Sequence, residues 1–225
     1  MFFINISSDK IHLTDGTKEE ILARNGIEDI LGPVLIDRQK TSPFTEIFLI
    51  NGPGWFTNLR VGTLMLNTLN MFQEKKIQIF EVDKLTLFAH LVKIGLLPEQ
   101  GIIYLGQKHN VWLARFARSS WKLKVESCPY RIKKLKEPVT FDLQPEPHDF
   151  ELINKDTIPA GAFLDEVHDE IYRPQGVENM VKFVHKEWKI YAHYKHKKHE
   201  ITVKDLDLKP VLQVQAKYMI EPVLN

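Results

Sequence analysis

The chain has 225 residues, of which 44% are hydrophobic and 26% are charged, and its formal net charge is +1 at pH 7. That length suits one large domain or two small lobes with a buried core, and the near-zero charge excludes a chain that is drawn as a whole to nucleic acid or to an anionic membrane. The single cysteine, Cys128, excludes an intrachain disulfide and a zinc site built from cysteines.

The first part of the chain is expected to begin with strands. Residues 1–10 lack the basic start and long apolar stretch of a signal peptide, and residues 2–6 instead predict a short buried strand. A turn at 7–10 and a second strand at 11–13 follow, and Thr17 is placed to cap a segment that reaches residue 23. No apolar run approaches the roughly 18 residues of a membrane span, so we expect a cytoplasmic protein.

Helices and strands then alternate. Apolar residues recur at helical spacing over 27–35, where a helix must start or bend at Pro33. Residues 46–50 are the clearest buried strand, and the sequence Asn-Gly-Pro-Gly at 51–54 breaks it sharply. We expect a helix over 57–72, and after it a strand over 77–81 and a helix over 83–97.

The second half reads mainly as strands. A proline and a glycine in the polar segment 96–101 mark a boundary, so we divide the chain into residues 1–98 and 99–225. A hairpin is expected from 102–105 and 111–116, and residues 177–188 are expected to form a helix that 190–194 either continues or follows as a strand. Other strand-like segments lie near 121–125, 130–135 and 139–143. This alternation favours the α/β class.

The segment 51–62 is the most informative part of the sequence. It resembles the signature Gly-Pro-Gly-Ser-Phe-Thr-Gly-Leu-Arg-Ile-Gly of the TsaB (YeaZ) family. The matching positions are Gly52, Pro53, Gly54, Phe56, Thr57, Leu59, Arg60 and Gly62. Trp55 and Asn58 depart from the signature, and Val61 is a conservative change. The resemblance is strong over 46–97, moderate over 1–16 and weak beyond 105.

The resemblance implies a two-lobed actin-like (ribonuclease H-like) fold with mixed sheets flanked by helices, and it implies a third strand in place of a helix near 17–23. It also implies a non-catalytic scaffold subunit without a cofactor, which pairs with a TsaD-type catalytic subunit. A TsaE-type ATPase joins the assembly, which makes N6-threonylcarbamoyladenosine on tRNA. The resemblance implies that tRNA contacts the chain indirectly, through the complex, and that a homodimer is an alternative pairing.

The helix after the glycines carries apolar residues around most of its girth, so one side needs a cover other than its own sheet. The resemblance places a partner interface on it. The expected interface residues are Phe56, Leu59, Val61, Leu64, Met65, Leu69 and Phe72. A fully buried central helix is the alternative.

No catalytic residue and no metal site is expected. Asn5 stands where the family has its early Asp, and Gly106 stands near the Asp of the second lobe, so carboxylates that would bind a metal–phosphate group are missing. A vestigial anion or nucleotide site is the alternative expectation. Its residues would be Ser7, Ser8, Gly52, Gly54 and Thr57. The rival reading is therefore an actin-like ATPase or small-molecule kinase that binds nucleotide between the lobes.

Two basic stretches, 122–136 and 182–200, are interleaved with aromatic residues and support a second rival, an RNA-binding module. A solvated lobe edge is the alternative explanation for them. The candidate RNA contacts are Lys122, Lys124, Arg131, Lys133 and Lys134. The spacing of His185, His193, His196 and His199 does not suit a metal site, and acidic residues from Asp165 to Glu170 around His168 are more typical of a solvent-facing run.

Overall fold

A computed structural model describes residues 1–103, 111–116, 150–153, 161–165, 179–187 and 189–217. Within these ranges the first half contains β1 (Phe2–Asn5), β2 (Ile11–Thr14), β3 (Glu19–Leu22), α1 (Ile27–Thr41), β4 (Glu46–Ile50), α2 (Phe56–Phe72), β5 (Gln78–Val82) and α3 (Lys84–Lys93). The second half contains β6 (Gln100–Ile103), β7 (Val111–Arg115), β8 (Phe150–Ile153), β9 (Phe163–Leu164), β10 (Lys182–Lys186), β11 (Lys189–Tyr194) and β12 (Lys197–Ile201). The α/β class expected from the sequence is confirmed.

The first sheet has the strand order β3-β2-β1-β4-β5. Its first three strands form an antiparallel meander, and β4 and β5 run parallel to β1. Helices α1 and α2 cover one face and α3 covers the other, so every residue of β1 is buried. Burial on both faces explains why β1 and β4 are almost continuously apolar instead of alternating.

The second sheet has the order β8-β7-β6-β9. Strands β6, β7 and β8 are again an antiparallel meander, and β9 runs parallel to β6. Met180 forms a parallel bridge with Leu164 on the outer side of β9, in the position that β5 holds beside β4. The second sheet thus repeats the topology of the first, although the sequence shows no internal repeat.

A third sheet, β10-β11-β12, is an antiparallel meander. The helix expected over 177–188 is therefore wrong, because Phe183 and His185 are buried while Lys182 and Lys186 on either side are exposed. This two-residue alternation is the period of a strand with one buried face. Of the two alternatives for 190–194, the strand is confirmed.

Several boundaries settle points that the sequence left open. The segment after Thr17 is strand β3, and α1 begins at Ile27 and passes through Pro33 instead of starting there. Helix α2 begins at Phe56, one residue before the expected start, and has no side-chain cap. The hairpin of β6 and β7 is confirmed, whereas the strand-like segments 121–125, 130–135 and 139–143 lie outside the described residues.

One hydrophobic core joins the three sheets. Phe88 of α3 contacts Phe163 of β9 at 5.0 Å between ring centroids and Phe183 of β10 at 6.3 Å. Phe3 and Phe48 of the first sheet belong to the same cluster. Residues 211–217 then return to the first half, where Val211 bridges Ile79 of β5. The division at 98/99 stays a prediction. In the described part of the chain, no helix has both the length and the apolar composition needed to cross a bilayer.

Asp15 fastens the β2–β3 turn to α1. Its Oδ1 accepts hydrogen bonds from the backbone N–H of Thr17 and Lys18, and its Oδ2 lies 3.2 Å from the guanidinium of Arg38. Burial alone would raise the pKa of Asp15, but these hydrogen bonds, the Thr17 hydroxyl and the charge of Arg38 outweigh burial and hold the pKa far below its ordinary value. The ionised carboxylate is therefore the form that stabilises the fold.

This lowered pKa predicts an acid-dependent loss of stability. As the pH falls below about 4, the unfolded chain takes up the proton at Asp15 before the folded chain does, so the contribution of Asp15 is complete at neutral pH and declines in acid. Asp15→Asn should lower the free energy of unfolding in urea at pH 7, and its difference from wild type should shrink at pH 3. Asp37→Asn, at an exposed position of α1, is the control. A difference that is constant with pH would contradict this assignment.

Candidate functional site

The Gly-Pro-Gly corner, residues 51–54, turns the chain from β4 into α2. Gly52 has a left-handed backbone with φ of +71°, and its carbonyl accepts a hydrogen bond from the N–H of Lys84 at the start of α3. A Cβ on Gly52 would lie 2.2 Å from the carbonyl oxygen of Lys217. Both the backbone angle and the lack of space therefore demand glycine here.

Gly54 is needed for a different reason. Its φ is not left-handed, but a Cβ at this position would lie 1.8 Å from the carbonyl oxygen of Ser7 in the loop between β1 and β2. Gly62, about two turns into α2, is similarly close to Ile6, because a Cβ on Gly62 would lie 2.7 Å from Cγ2 of Ile6. The signature glycines thus let the β1–β2 loop pack directly on the start of α2.

The loop facing this corner uses its polar groups within the chain. The Oδ1 of Asn5 accepts hydrogen bonds from the hydroxyl of Ser7 at 2.7 Å and from its N–H at 3.0 Å, and the amide of Asn58 donates to the carbonyl of Ser8 at 2.8 Å. Ser7 and Ser8 are buried, whereas Thr57 is exposed. Asn5 therefore organises the loop through these hydrogen bonds, and the expected anion site stays a prediction.

The close packing at Gly54 predicts a large effect of one methyl group. Gly54→Ala must displace the backbone of Ser7, and it should lower the free energy of unfolding by about 3 kcal/mol or more, the upper part of the range for overpacking. Gly32→Ala in α1 is the matched control, since its Cβ would meet only the flexible Met65 side chain at 3.3 Å and alanine favours a helix. Equal stability of the two variants in urea unfolding would contradict the role of Gly54.

A buried ion pair joins the first sheet to the second. Lys84, the first residue of α3, places its Nζ 2.5 Å from Oδ2 of Asp165, which directly follows β9. The two side chains are only 2% and 1% exposed. Asp165 therefore does not belong to a solvent-facing acidic run, and the sequence had offered no signal that pairs these residues across 81 positions.

Removing one partner of this pair should leave a charge buried without its counterion. Lys84→Met is expected to cost about 3–5 kcal/mol, whereas the double variant Lys84→Met/Asp165→Leu should recover most of the loss, since an apolar pair of similar volume often replaces a buried ion pair at little cost. Urea unfolding of the two single variants and the double variant measures the coupling. Additive losses would show that the pair does not act as a unit.

The C-terminal strap, residues 211–217, covers one flank of α2. Asn67 donates to and accepts from the backbone of Val214 at 2.9 and 2.8 Å, and Asn70 donates to the carbonyl of Leu212 at 3.0 Å. Asn51 of the corner binds the carbonyl of Gln215 at 2.6 Å. These asparagines were not singled out from the sequence, although poor helix formers inside a helix indicate such contacts with neighbouring backbone.

The expected interface residues of α2 fall into three groups. Leu59 and Leu69 are in the core, with 0% and 9% exposure, while Leu64 and Phe72 are exposed by 57% and 75%. The half-buried members are Phe56, Val61 and Met65. The sheet therefore covers one side of α2, and the opposite side faces solvent.

An apolar patch forms where this side of α2 meets α1. Leu64 and Phe72 lie eight residues apart, about two turns along one helical face, and Met71 beside them is 65% exposed. Ile36 of α1 is 49% exposed and lies one turn beyond Gly32, where a Cβ would lie 3.3 Å from Sδ of Met65. We call Ile36, Leu64, Met71 and Phe72 the outer apolar patch. Exposed apolar residues grouped in this way are typical of a protein interface.

The other candidate residues are not brought together. His185 lies on the buried face of β10, His193 on the opposite face of β11 and His196 in the following turn, while His199 of β12 contacts His90 of α3 at 6.3 Å between ring centroids. Within the described ranges no group of three or more histidine, cysteine, aspartate or glutamate side chains could hold a metal ion. The candidate RNA contacts Lys122, Lys124, Arg131, Lys133 and Lys134, together with Gly106 and His168, lie outside the described residues.

Comparison with known proteins gives a limited result. No protein-family model matches the chain, and no curated protein matches it. Among solved structures, the chain is similar to YeaZ from Pseudomonas aeruginosa, with 15% identity, a TM-score of 0.35, and coverage of 58% of this chain and 70% of that one. A second structure from Pseudomonas aeruginosa, an uncharacterised protein with similarity to peptidase YEAZ, has 14% identity, a TM-score of 0.35 and coverage of 73% of both chains. Both carry the name of the family that the Gly-Pro-Gly segment resembles.

Proposed function

We propose that the chain is a non-catalytic scaffold subunit of the TsaB type, which acts by pairing through the outer side of α1 and α2 with a TsaD-type catalytic subunit. The outer apolar patch is the observation that carries this proposal. Three of its four residues are more than half exposed, and they lie on one helix that its own chain covers on the other sides. Burying this many apolar side chains against a partner, away from water, stabilises the complex.

The sequence signature supplies the identity of the partner. The segment 51–62 resembles the TsaB signature, and its glycines serve a packing role that sets the direction of α2. In this proposal the chain adopts the two-lobed actin-like arrangement, which the duplicated strand order of the first two sheets supports. A TsaE-type ATPase joins the assembled complex and tRNA is bound through that complex, and self-association of the chain competes with the catalytic subunit for the same patch.

The interior of the molecule favours a scaffold over an ATPase or kinase. The end of β9 approaches the start of α3 through the buried pair of Lys84 and Asp165. A nucleotide between the first two sheets would have to separate this pair and solvate both charges, which is costly. In addition, Asn5 is committed to the β1–β2 loop and carries no charge to hold a metal ion.

Charge placed in the outer apolar patch should abolish pairing. Leu64→Glu and Phe72→Glu are each expected to weaken association at least about tenfold, because a carboxylate must lose its hydration in the contact. Since both positions are exposed in the single chain, folding should not change. The test is sedimentation velocity of each variant, alone and mixed with the TsaD-type subunit of the same source.

Ile94→Glu is the matched control, because Ile94 is an exposed apolar residue, 41% accessible, at the end of α3. It should associate as the wild type does. Wild-type association of both patch variants would show that α2 is not the contact, and micromolar binding of magnesium-ATP with turnover by the chain alone would favour the enzyme reading.

A further inference from the structure

The third sheet exposes a basic face that the proposed function does not use. Strand pairing aligns Lys182 of β10 with His193 of β11 and Lys198 of β12 in one row. A second row, four residue pairs further along, brings Lys186 beside Lys189. The lysines of both rows are exposed, and since side chains two residues apart share a face of a strand, both rows point to the same side of the sheet.

Between the two rows lies a central row of Val184, Tyr191 and Glu200. The Nζ of Lys198 lies over the Tyr191 ring at 3.6 Å from its centroid. Glu200 is occupied by Lys189 at 3.0 Å, and this hydrogen bond and charge raise the pKa of Lys189. The face therefore combines lysines on both sides with one aromatic ring at its centre.

Positive charge is concentrated in the third sheet. Residues 182–187 and 189–201 contain six lysines and two glutamates, a formal charge of +4, whereas the whole chain carries +1. Among the described residues Lys182 has no carboxylate within ion-pairing distance. All other residues of the chain together carry a formal charge of −3, so the positive charge of this sheet is a local excess.

We propose that this basic face binds the phosphate backbone of a single-stranded polynucleotide. The two basic rows are about 13 Å apart along the strands, since each residue advances about 3.3 Å. A polynucleotide that runs from one row to the other can therefore place phosphates on both rows and a base near Tyr191. This combination of a charged groove and an aromatic platform is the one that single-stranded nucleic acids favour. A bilayer fits less well, because Val184 is the one large apolar side chain exposed on the described part of this face.

Binding should be measured on the full chain by fluorescence anisotropy with a labelled 20-nucleotide oligouridine, between 50 and 200 mM salt. Affinity should fall steeply with salt, as expected when lysines displace counterions from phosphates. Lys182→Glu/Lys198→Glu should weaken binding at least about tenfold at 100 mM salt and flatten the salt dependence by about two in logarithmic slope, about one for each lost contact.

The control double variant Lys75→Glu/Lys209→Glu changes two exposed lysines outside the third sheet and gives the same net charge. It should bind nearly as the wild type does. Equal loss in both double variants would overturn the proposal in favour of bulk charge, and so would absence of binding at 50 mM salt. Oligodeoxythymidine in place of oligouridine distinguishes DNA from RNA as the source of the phosphates, and tighter binding to phosphatidylserine vesicles than to either would assign the face to a membrane.

Discussion

The contact between the Ser7 carbonyl and the Cα of Gly54 determines how the first half of the molecule is arranged. No other residue type leaves room for it, since even a methyl group would collide with the backbone. It brings the β1–β2 loop onto the start of α2, and Gly62 continues the same close approach along the helix. Once α2 is held this close to the sheet, Leu59, Leu66 and Leu69 enter the core, where each contributes about 1.5–3 kcal/mol.

The same constraint decides which side of α2 remains outside. The sheet takes one side, α1 packs beside Met65, and the strap is held by Asn67 and Asn70 on the remaining flank. Hydrogen bonds from these asparagines to the strap backbone need a fixed register, because each amide meets one particular peptide group. The chain thus specifies where its own segments cover the helix, and the outer apolar patch is the part that no described segment covers.

Local patterns predicted much of this fold, and long-range pairings account for what they missed. Strands β1 and β4 and helix α2 follow from apolar runs and the glycine turn, which act within a few residues. A helix was expected over residues 182–186 because Val177, Val181 and Val184 recur at helical spacing in the sequence. The strand is revealed only by the burial of Phe183 against Phe88 of α3 and of His185 beside Gly16. The pair of Lys84 and Asp165 depends on the meeting of two sheets, which nothing in either local sequence encodes.

On α2, too, the sequence alone could not show which side becomes exposed. Apolar residues surround α2, so the sequence predicts that a cover is needed but not which side the sheet supplies. Leu59 and Leu64 differ by five residues and lie on opposite sides of the helix, and their exposures of 0% and 57% follow from the direction in which the corner sends α2. A helix of this kind exposes apolar surface whichever side faces the sheet. The glycine corner therefore does more than turn the chain: it determines that Leu64 and Phe72 are the residues of α2 left exposed to solvent.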